Sequence, residues 1–561
     1  MKKNLILRGV TGELVSDVID RWLIGIRETN PAILDMFKDR NVKPYRDLLM
    51  WSGEFAGKYL TSAYYAYSVT GNERLAFYVK NFINELISYQ ADNGYLGCFS
   101  DKCQMTGAFS VSPEKTGDTW DSWNHYHVMI GLLLWYSETG EKKYLECVEK
   151  TASFYIDRFY NGKKKLSEIG WTEMNLAAYH GFALLYNITK KREYLEFARE
   201  IEADMKSAGA EDYLEVGLSG MDFYACKKPR WESLHVIMGF AEMYKAIGDE
   251  RYKNGFIALI DSILKTDVHN TGAFSTKEQA IGNPFAEGPI ETCCVVAFNA
   301  AVDLAWEITR DIKYAEHLEL SHYNAMMGAF SESGLWSTYD TPMNGFKKAN
   351  FHDIIFQCKP GSPMLNCCSV NAPRGIAEIG RWIVAETSDT VYINSFEDCD
   401  YENGETSVNI RGGYPYSNEV TIKIKSPVKH VKIRIPKWSK STVCIVNGKE
   451  KSVSSGEYTD INGEEVILRF DFSPRLLHGE GDKKGQTSVY TGCVLFAVDA
   501  TRNPYLNIDE LGGISYKTLK KAILVRDKSG VTVTADGVTL IDFYHSGQSG
   551  CKYRTWLKVT E

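Results

Sequence analysis

A degenerate helical unit recurs through the first 320 residues of this 561-residue chain and constrains the fold more than any other feature. Each copy has an aromatic residue, usually Thr three positions later, and often Gly directly after that. An apolar run with a helical period precedes each copy, and an amphipathic run follows it. Because the Gly or polar residue stands where a helix C-cap belongs, each copy predicts two helices joined by a short turn. The copies start at Tyr67, Tyr136, Tyr186, Tyr244 and Trp306.

The spacing of the copies, 50 to 69 residues, leaves long and variable loops at the opposite ends of the helices. Helical hairpins of this size either close into a toroid or continue as an open solenoid. The segment around Cys367 supplies a sixth hairpin, and six hairpins favour closure. We therefore predict an (α/α)6 toroid whose variable loops surround a cleft at one mouth.

The pattern changes near residue 387, where short alternating segments replace the helical runs. Segments such as 431–435 and 466–470 are separated by Gly, Asn and Pro, which is typical of antiparallel β-sandwiches. A chain of this length is also too long for one hydrophobic core. We predict a multidomain α + β protein, with an (α/α)6-barrel catalytic domain over residues 1–386 and a β-sandwich accessory region, one sandwich or two small ones, over residues 387–561.

Charge and composition exclude several classes of partner. The net charge of −8 argues against nucleic acid as a partner, and no apolar stretch approaches the roughly 20 residues that a membrane span needs. Arg8 interrupts the N-terminal apolar segment before a signal-peptide core is complete, so we expect a cytoplasmic protein. The aromatic content of 12% is typical of a carbohydrate-binding cleft, and equally of a large aromatic core.

Two cysteine clusters carry the most specific chemistry: Glu-Thr-Cys-Cys at 291–294 and Asn-Cys-Cys at 366–368. In a reducing compartment such clusters indicate metal ligands or reactive thiols rather than disulfides. Both precede predicted helices, the second of which we expect to begin near Pro373, and helix N-termini favour thiolates. One glutamate and three cysteines would complete a tetrahedral zinc shell. The spacing is not that of a zinc finger, so buried cysteines that act as small hydrophobic residues remain the alternative.

These clusters resemble the zinc site of the β-L-arabinofuranosidase family of glycoside hydrolases, family 127, which is related to family 146. Further likeness lies in Gly-Glu-Phe at 53–55, Asn-Gly-Tyr-Leu-Gly at 93–97 and Arg-Ile-Pro-Lys-Trp at 434–438. The resemblance covers most of the chain. It implies a zinc-dependent, retaining glycosidase that releases β-L-arabinofuranose, or a similar furanose, from plant-derived oligosaccharides.

The resemblance also implies roles for individual residues. Cys367 would attack the anomeric carbon while bound to Zn²⁺, in place of the carboxylate nucleophile of most retaining enzymes. The other zinc ligands would be Glu291, Cys293 and Cys368. The general acid/base would be Glu278, since residues 271–278 resemble the family's Thr-Gly-Gly-Asn-Ser-x-x-Glu segment, with Glu287 as the alternative.

The residues that contact the substrate in the family are only partly matched in this chain. His127 and Tyr339 match the family's cleft residues, and His235 lies two positions from the register that the repeat predicts. Asn175 stands where the family has a histidine, and Cys294 is an additional cysteine. These departures leave the exact sugar open.

Other functions are compatible with the same predicted fold. One is a toroid-type polysaccharide lyase or a different glycosidase, and another is a non-catalytic carbohydrate-binding protein with a structural zinc. In each case the expected partner is a small oligosaccharide or glycoside, with neither nucleic acid nor membrane, and the β region could pair two chains into a homodimer.

Overall fold

Six inner helices form a closed ring in the computed structural model, which describes residues 4–349, 365–427, 429–527 and 530–560. Each inner helix packs against the next, and the sixth packs against the first. The predicted (α/α)6 toroid is therefore confirmed. The inner helices are Glu54–Thr70, Asp121–Thr139, Ala178–Thr189, Ser233–Ile247, Thr292–Thr309 and Cys367–Ala377.

An outer helix follows each of the first five inner helices, but the sixth pair is not a hairpin in sequence. After Cys367–Ala377 the chain forms one short helix and enters a β-strand at Val384. The helix Val10–Val18 instead packs against the sixth and first inner helices and completes the outer layer. The five outer helices are Glu73–Ser88, Lys142–Arg158, Arg192–Asp204, Glu250–Thr266 and Ile312–Ser321.

The repeated aromatic-x-x-Thr unit ends the inner helices through a common set of hydrogen bonds. The residue after the unit is left-handed, with φ between 57° and 70°, and its N–H donates to the carbonyl of the aromatic residue at 2.7–2.8 Å. In four of the five copies the threonine hydroxyl donates to the carbonyl four residues back and accepts from the N–H two residues on, as Thr70 does with Ala66 and Asn72. The copy at Tyr244 has Ile247 at this position. The unit thus satisfies carbonyls that a helix end leaves open. The left-handed residues are Gly71, Gly140, Lys190, Gly248 and Arg310.

Shorter helices occupy the loops and the N-terminal segment. Two of them, Ile19–Leu23 and His322–Met326, are π-helical turns that continue longer helices. The remaining short helices are Ile26–Thr29, Ala32–Lys38, Leu166–Ile169, Thr172–Asn175, Tyr213–Ser219, Phe223–Ala225, Met327–Ala329, Ile379–Trp382, Gly481–Lys483 and Tyr516–Leu519.

The β region begins with a seven-stranded and a four-stranded sheet. Their pairs are antiparallel, except that Thr390–Ile393 pairs in parallel with His430–Ile435. In spatial order the larger sheet is Asn4–Leu7, Cys399–Asn403, Thr406–Arg411, Glu419–Lys425, Glu465–Arg469, Val443–Val446 and Lys449–Lys451. The smaller sheet is Glu457–Ile461, His430–Ile435, Thr390–Ile393 and Val384–Glu386.

The C-terminal part forms an eight-stranded sheet and a parallel two-stranded pair. The larger sheet contains Arg475–His478, Thr487–Thr491, Val494–Asp499, Val538–Asp542, Gly530–Ala535, Val525–Asp527, Tyr553–Arg554 and Asn344–Gly345. The pair is Ile514–Ser515 and Val559–Thr560.

The helical and β regions share strands, which ties them together. Asn4–Leu7, at the start of the chain, pairs with Cys399–Asn403, and Asn344–Gly345, between the fifth and sixth inner helices, pairs with Tyr553–Arg554. The multidomain α + β class is confirmed, while the division at residue 386 stays a prediction.

The Thr292–Thr309 helix of the ring is long and strongly apolar. Its length and composition would suit a membrane span, but 83% of it is buried inside the protein. It is therefore a core helix of the toroid, and it carries the first cysteine cluster at its N-terminus.

The sixth inner helix begins at Cys367, six residues before Pro373, so the predicted start at that proline is wrong. A proline within a helix removes one backbone donor and disturbs the hydrogen-bond ladder around it. Ser62, on the first inner helix, enters this ladder: its hydroxyl donates to the carbonyl of Val370 at 2.5 Å and accepts from the N–H of Arg374 at 3.2 Å. The neighbouring helix therefore stabilises a helix that its own sequence would interrupt.

Arg434 joins the toroid to the β region in a fully buried network. Its guanidinium donates to the carboxylates of Glu319 and Glu316, on an outer helix, and to the carbonyl of Asn394. Glu319 also accepts from the Tyr414 hydroxyl at 2.6 Å. Buried charges of this kind are stable only when each is paired and hydrogen-bonded.

We expect Arg434→Ala to destabilise the protein by about 3–5 kcal/mol, because it leaves the carboxylate of Glu319 buried without its cation. The measurement is the midpoint of thermal unfolding. Arg469→Ala is the matched control: its pair with Glu419 has side chains 51% and 48% exposed, so its loss changes stability by less than about 1 kcal/mol. Equal shifts in the two variants would contradict the structural role of Arg434.

Candidate active site

The two cysteine clusters lie at the N-termini of neighbouring inner helices. Glu291 is the N-cap of Thr292–Thr309, and Asn366 caps the sixth inner helix by accepting the N–H of Ser369 at 2.8 Å. The two helices pack side by side in the ring. Because both begin at the same mouth of the toroid, clusters that are distant in sequence meet in space.

Four donor atoms from these clusters converge. Oε1 of Glu291 lies 3.6 Å from Sγ of Cys367 and 3.4 Å from Sγ of Cys368. The Cys293 and Cys368 sulfurs are 3.5 Å apart, and those of Cys367 and Cys368 are 3.9 Å apart. All four donors lie within 4.8 Å of one another and belong to buried residues. We call this set the four-donor group.

The spacing fits a tetrahedral metal ion rather than disulfides. Metal–sulfur bonds of about 2.3 Å around a tetrahedral ion place two sulfurs roughly 3.8 Å apart, close to the separations observed here. A disulfide would need about 2.05 Å between sulfurs, and these cysteines are free. The four-donor group can therefore bind a metal ion with soft, partly anionic ligands.

Cys294 remains outside this group although it follows Cys293 directly. Its sulfur lies 3.7 Å from Oε2 of Glu291. The sulfurs of Cys367 and Cys368 lie near the other oxygen of that carboxylate, Oε1. Burial raises the pKa of the Cys294 thiol well above its usual value. The structure thus groups the four residues that the family resemblance implied as ligands and leaves Cys294 outside them.

An ion pair behind the four-donor group was missed by the sequence analysis. Nζ of Lys58 donates to Oε1 of Glu54 at 2.8 Å and lies 3.9 Å from Sγ of Cys293, and the indole of Trp123 donates to the same carboxylate. Burial acts to lower the pKa of Lys58, but Cys293 and Glu54 outweigh it and raise the pKa above its ordinary value. The signal was Glu and Lys four residues apart on an inner helix, noted only as part of the family likeness.

A cavity of about 460 Å³ opens above the four-donor group, a size typical of small-molecule sites. Of the three cysteines in the group, Cys367 belongs to the cavity lining and is 6% exposed, while Cys293 and Cys368 are fully buried. The lining residues are Met50, Trp51, Glu54, Trp120, Trp171, Arg230, Trp231, Glu232, Glu278, Glu291, Tyr339 and Cys367.

Glu278 and Tyr339 both reach this cavity. Oε1 of Glu278 accepts from the Tyr339 hydroxyl at 3.3 Å, and Oε2 accepts from Arg230 at 3.0 Å. The backbone of Glu278 is left-handed, with φ of 67°, a strained conformation for a side chain of this size and one that is frequent at functional sites. The structure therefore brings Glu278, Tyr339, Glu291 and Cys367 into one space.

Glu287 lies elsewhere. Its half-exposed carboxylate accepts from Lys483 and from Asn344 at 2.8 Å, and the residue is not part of the cavity lining. The geometry favours Glu278 over Glu287 as the acid/base, a role that stays a prediction.

Glu232 is a second cavity carboxyl that the sequence analysis missed. Arg230 donates to both of its oxygens, at 3.0 and 2.7 Å, and also to Glu278. Burial raises the pKa of Glu232 to about 7, in spite of the guanidinium. This carboxyl can therefore hold a proton near neutral pH, and its signal in the sequence was only an acidic residue at the start of an inner helix.

His127 and His235 lie beneath the cavity rather than in its wall. Their rings pack against Trp123 at centroid distances of 4.5 and 4.9 Å, and Nδ1 of His235 forms a 2.9 Å hydrogen bond with the hydroxyl of Tyr126. Burial lowers the pKa of both histidines well below the usual value, so both rings are neutral. Neither histidine is part of the cavity lining. Their contact with the substrate stays a prediction.

Comparison with family models gives two adjacent matches. The model of the β-L-arabinofuranosidase GH127 catalytic domain matches residues 24–381, and that of the GH127 middle domain matches residues 390–467. The first match spans the toroid, and the second spans most of the two sheets that follow it.

Individual relatives agree with these matches. A non-reducing end β-L-arabinofuranosidase from Bifidobacterium longum subsp. longum is 23% identical over 504 residues, which is 82% of this chain and 67% of that protein. A GH127 β-L-arabinofuranosidase from Geobacillus stearothermophilus T6 superposes with a TM-score of 0.80 at 17% identity, over 99% of this chain and all of the other. A second structure, titled a GH127 β-arabinofuranosidase, gives a TM-score of 0.76 at 18% identity, covering 99% and 97% of the two chains. At these identities the two structures show a common fold.

We expect Lys58→Met to destabilise the protein by about 3–5 kcal/mol, because the carboxylate of Glu54 would stay buried without a cation. Thermal unfolding measures the effect. The double variant Glu54→Gln/Lys58→Met removes both charges and should recover part of the loss, as a double-mutant cycle requires for interacting groups. Additive losses in the cycle would show that the two side chains do not stabilise each other.

Proposed function

Because this chain belongs to the GH127 β-L-arabinofuranosidase family and is a glycoside hydrolase, we propose that it releases β-L-arabinofuranose, or a similar furanose, from small plant-derived glycosides and oligosaccharides. The observation that carries the proposal is the single cavity in which Cys367 and Glu278 face the same space beside the four-donor group. The activities named for the relatives support the choice of sugar.

We further propose that Glu291, Cys293, Cys367 and Cys368 hold Zn²⁺. Three thiolates and one carboxylate with tetrahedral spacing suit this ion better than Mg²⁺ or Ca²⁺, which prefer oxygen ligands. When bound, Zn²⁺ keeps its cysteine ligands deprotonated at neutral pH and fixes their direction.

Cys367 is the proposed nucleophile, because this residue lines the cavity while the other two cysteines of the group are fully buried. In the first step its sulfur bonds to the anomeric carbon as the bond to the leaving oxygen breaks, and Glu278 gives its proton to that oxygen. In the second step Glu278 takes a proton from water, the water oxygen bonds to the anomeric carbon, and the Cys367 sulfur leaves. Two displacements retain the configuration of the sugar.

Tyr339 and Arg230 position the acid/base. Each donates to one oxygen of Glu278, so the carboxylate is held from both sides. Arg230 also binds Glu232, which makes Glu232 the second candidate for the proton transfers if Glu278 does not perform them.

Membership in a hydrolase family disfavours the polysaccharide lyase and the non-catalytic sugar-binding protein. The cytoplasmic location and the homodimer stay predictions, as does the retaining outcome.

We expect protein purified under reducing conditions without chelator to contain one equivalent of zinc by elemental mass spectrometry. Cys293→Ser and Cys368→Ser should lose most of it, because each removes one of four ligands. Cys294→Ser is the matched control and should keep its zinc, since that sulfur lies outside the group. Wild-type protein without metal, or equal loss in the Cys294 variant, would refute the ligand assignment.

We expect Glu278→Gln to lower kcat for methyl β-L-arabinofuranoside by about 10²–10⁴, the usual contribution of a positioned acid/base. Zinc content and melting temperature should stay at wild-type values, which separates loss of chemistry from loss of the site. Glu287→Gln, at the half-exposed alternative, should retain activity. Full activity in Glu278→Gln together with an inactive Glu232→Gln would transfer the role to Glu232.

A further inference from the structure

A second large cavity lies where the toroid meets the β region. Its volume is about 450 Å³, and it shares no lining residue with the catalytic cavity. It is lined by residues of the outer helix Ile312–Ser321, of the loop that follows the strand His430–Ile435, and of the strands Arg475–His478 and Thr487–Thr491. We call it the junction cavity.

The carboxylates that line the junction cavity are engaged by groups of the protein. Oε1 of Glu319 accepts from Arg434, and Oε2 accepts from the Trp438 indole at 3.0 Å. Oε1 of Glu316 accepts from Arg434 at 2.8 Å and from the backbone N–H of Lys437 at 2.9 Å. Among the described residues, Arg434 is the cation that pairs with both carboxylates.

Three further cations line the same cavity, and none has a carboxylate partner within the described part of the chain. Lys437 and Lys440 are exposed at the rim, whereas Arg475 is half-buried. Together with Arg434, the described residues thus bring four cations and two carboxylates to the junction cavity. The excess of positive charge indicates a site that attracts anions.

Arg475 is the cation whose environment leaves most of its charge uncompensated. Its Nη2 donates to the carbonyl of Gly492 at 2.8 Å, and its guanidinium lies 5.0 Å from the centroid of the Tyr490 ring. Nε is buried and has no acceptor among the described residues, and burial lowers the pKa of this guanidinium below its ordinary value. A buried charge without a counter-ion is unfavourable. Water can accept from these N–H groups, but only an anion supplies the missing charge.

His317 adds a neutral polar group from the toroid side. The residue is 7% exposed and lines the cavity, and its Nε2 has no hydrogen-bond partner in the described ranges. Burial lowers the pKa of this imidazole to about 3, so the ring is neutral and carries one N–H. The toroid and the β region therefore each contribute a polar side chain to one space.

The unused groups of the junction cavity select the chemical class of the ligand. A carboxylate or phosphate accepts charge-assisted hydrogen bonds from a guanidinium, which are stronger than those between neutral groups. The excess of positive charge would repel a metal cation, and a neutral sugar would leave the charge of Arg475 uncompensated. The volume is in the range of small-molecule sites.

We propose that the junction cavity binds a small molecule through a carboxylate or phosphate group. Arg475 is the principal contact, His317 is a polar contact from the toroid, and Lys437 and Lys440 attract the anion at the rim. The site is separate from the catalytic cavity, and its occupation does not depend on the furanosidase function proposed above. A bound anion would stabilise the junction, because groups of both regions contact it.

The test titrates the full-length protein with three probes by calorimetry at constant ionic strength: inorganic phosphate, D-glucuronate and, as the neutral counterpart, D-glucose. We expect saturable binding of at least one anion and none of glucose at the same concentrations. Arg475→Met should weaken anion binding by about tenfold or more, because it removes charged hydrogen bonds. Arg469→Met removes the same charge from an exposed position outside the cavity and should bind as wild type does.

Melting temperatures separate a ligand site from a structural arginine. Arg475→Met removes an unpaired cation, so it should not lower the melting temperature of the ligand-free protein. The anion that binds should raise the melting temperature of wild type but not that of the variant. Lys440→Gln changes an exposed side chain that folding does not need, and it should weaken binding by about twofold to fivefold.

Each outcome decides a different part of the proposal. Saturable binding of phosphate alone identifies a phosphorylated ligand, and binding of glucuronate alone identifies a carboxylate. No saturable binding of either anion would refute the site. Equal loss in Arg475→Met and Arg469→Met, or glucose bound as tightly as glucuronate, would also refute it. A variant Arg475→Met that melts lower but binds the anion as wild type does would show a structural role instead.

Discussion

The contact between the first and sixth inner helices closes the ring, and every feature of the cavity depends on that closure. The Ser62 hydroxyl completes the hydrogen-bond ladder of the sixth helix around Pro373, so the two helices are joined by side-chain-to-backbone hydrogen bonds as well as by packing. Closure places Lys58, on the first inner helix, behind the sulfurs that the fifth and sixth inner helices supply. An open solenoid with the same repeats would leave Lys58 and Glu54 at the opposite end of the protein from these sulfurs.

The closed ring also buries several charged side chains. The four-donor group, the Glu54–Lys58 pair and the Arg230 carboxylates lie in or beneath one cavity, where isolated charges would be strongly destabilising. The carboxylates are compensated by cations: Arg230 donates to Glu232, two residues away, and to Glu278, 48 residues away, and Lys58 donates to Glu54 on the same helix. The polar network and the ring therefore stabilise each other, and the site is rigid because both helices and charges hold it.

Different parts of the toroid supply different kinds of residue to the cavity lining. Reactive groups come from the loops and helix starts of the fourth to sixth inner helices, whereas three tryptophans come from those of the first to third. The toroid makes this possible because every inner helix begins at the same mouth, so each loop contributes one element to a common space. The histidines expected in the cleft lie outside the cavity lining, with their rings packed against Trp123.

The sequence alone determined the elements that depend on local chemistry. The aromatic-x-x-Thr unit specified where the inner helices end, because its capping bonds lie within a few residues, and the cysteine clusters specified a ligand set by their composition and the family likeness. Tertiary structure alone showed that the four donors meet in space, that Val10–Val18 supplies the sixth outer helix, and that Glu232 and four tryptophans line the cavity. Helical periodicity tells which side of a helix is buried, but not how deep a residue lies or what it meets across the ring. Those contacts join residues far apart in sequence and form only when the helices pack together.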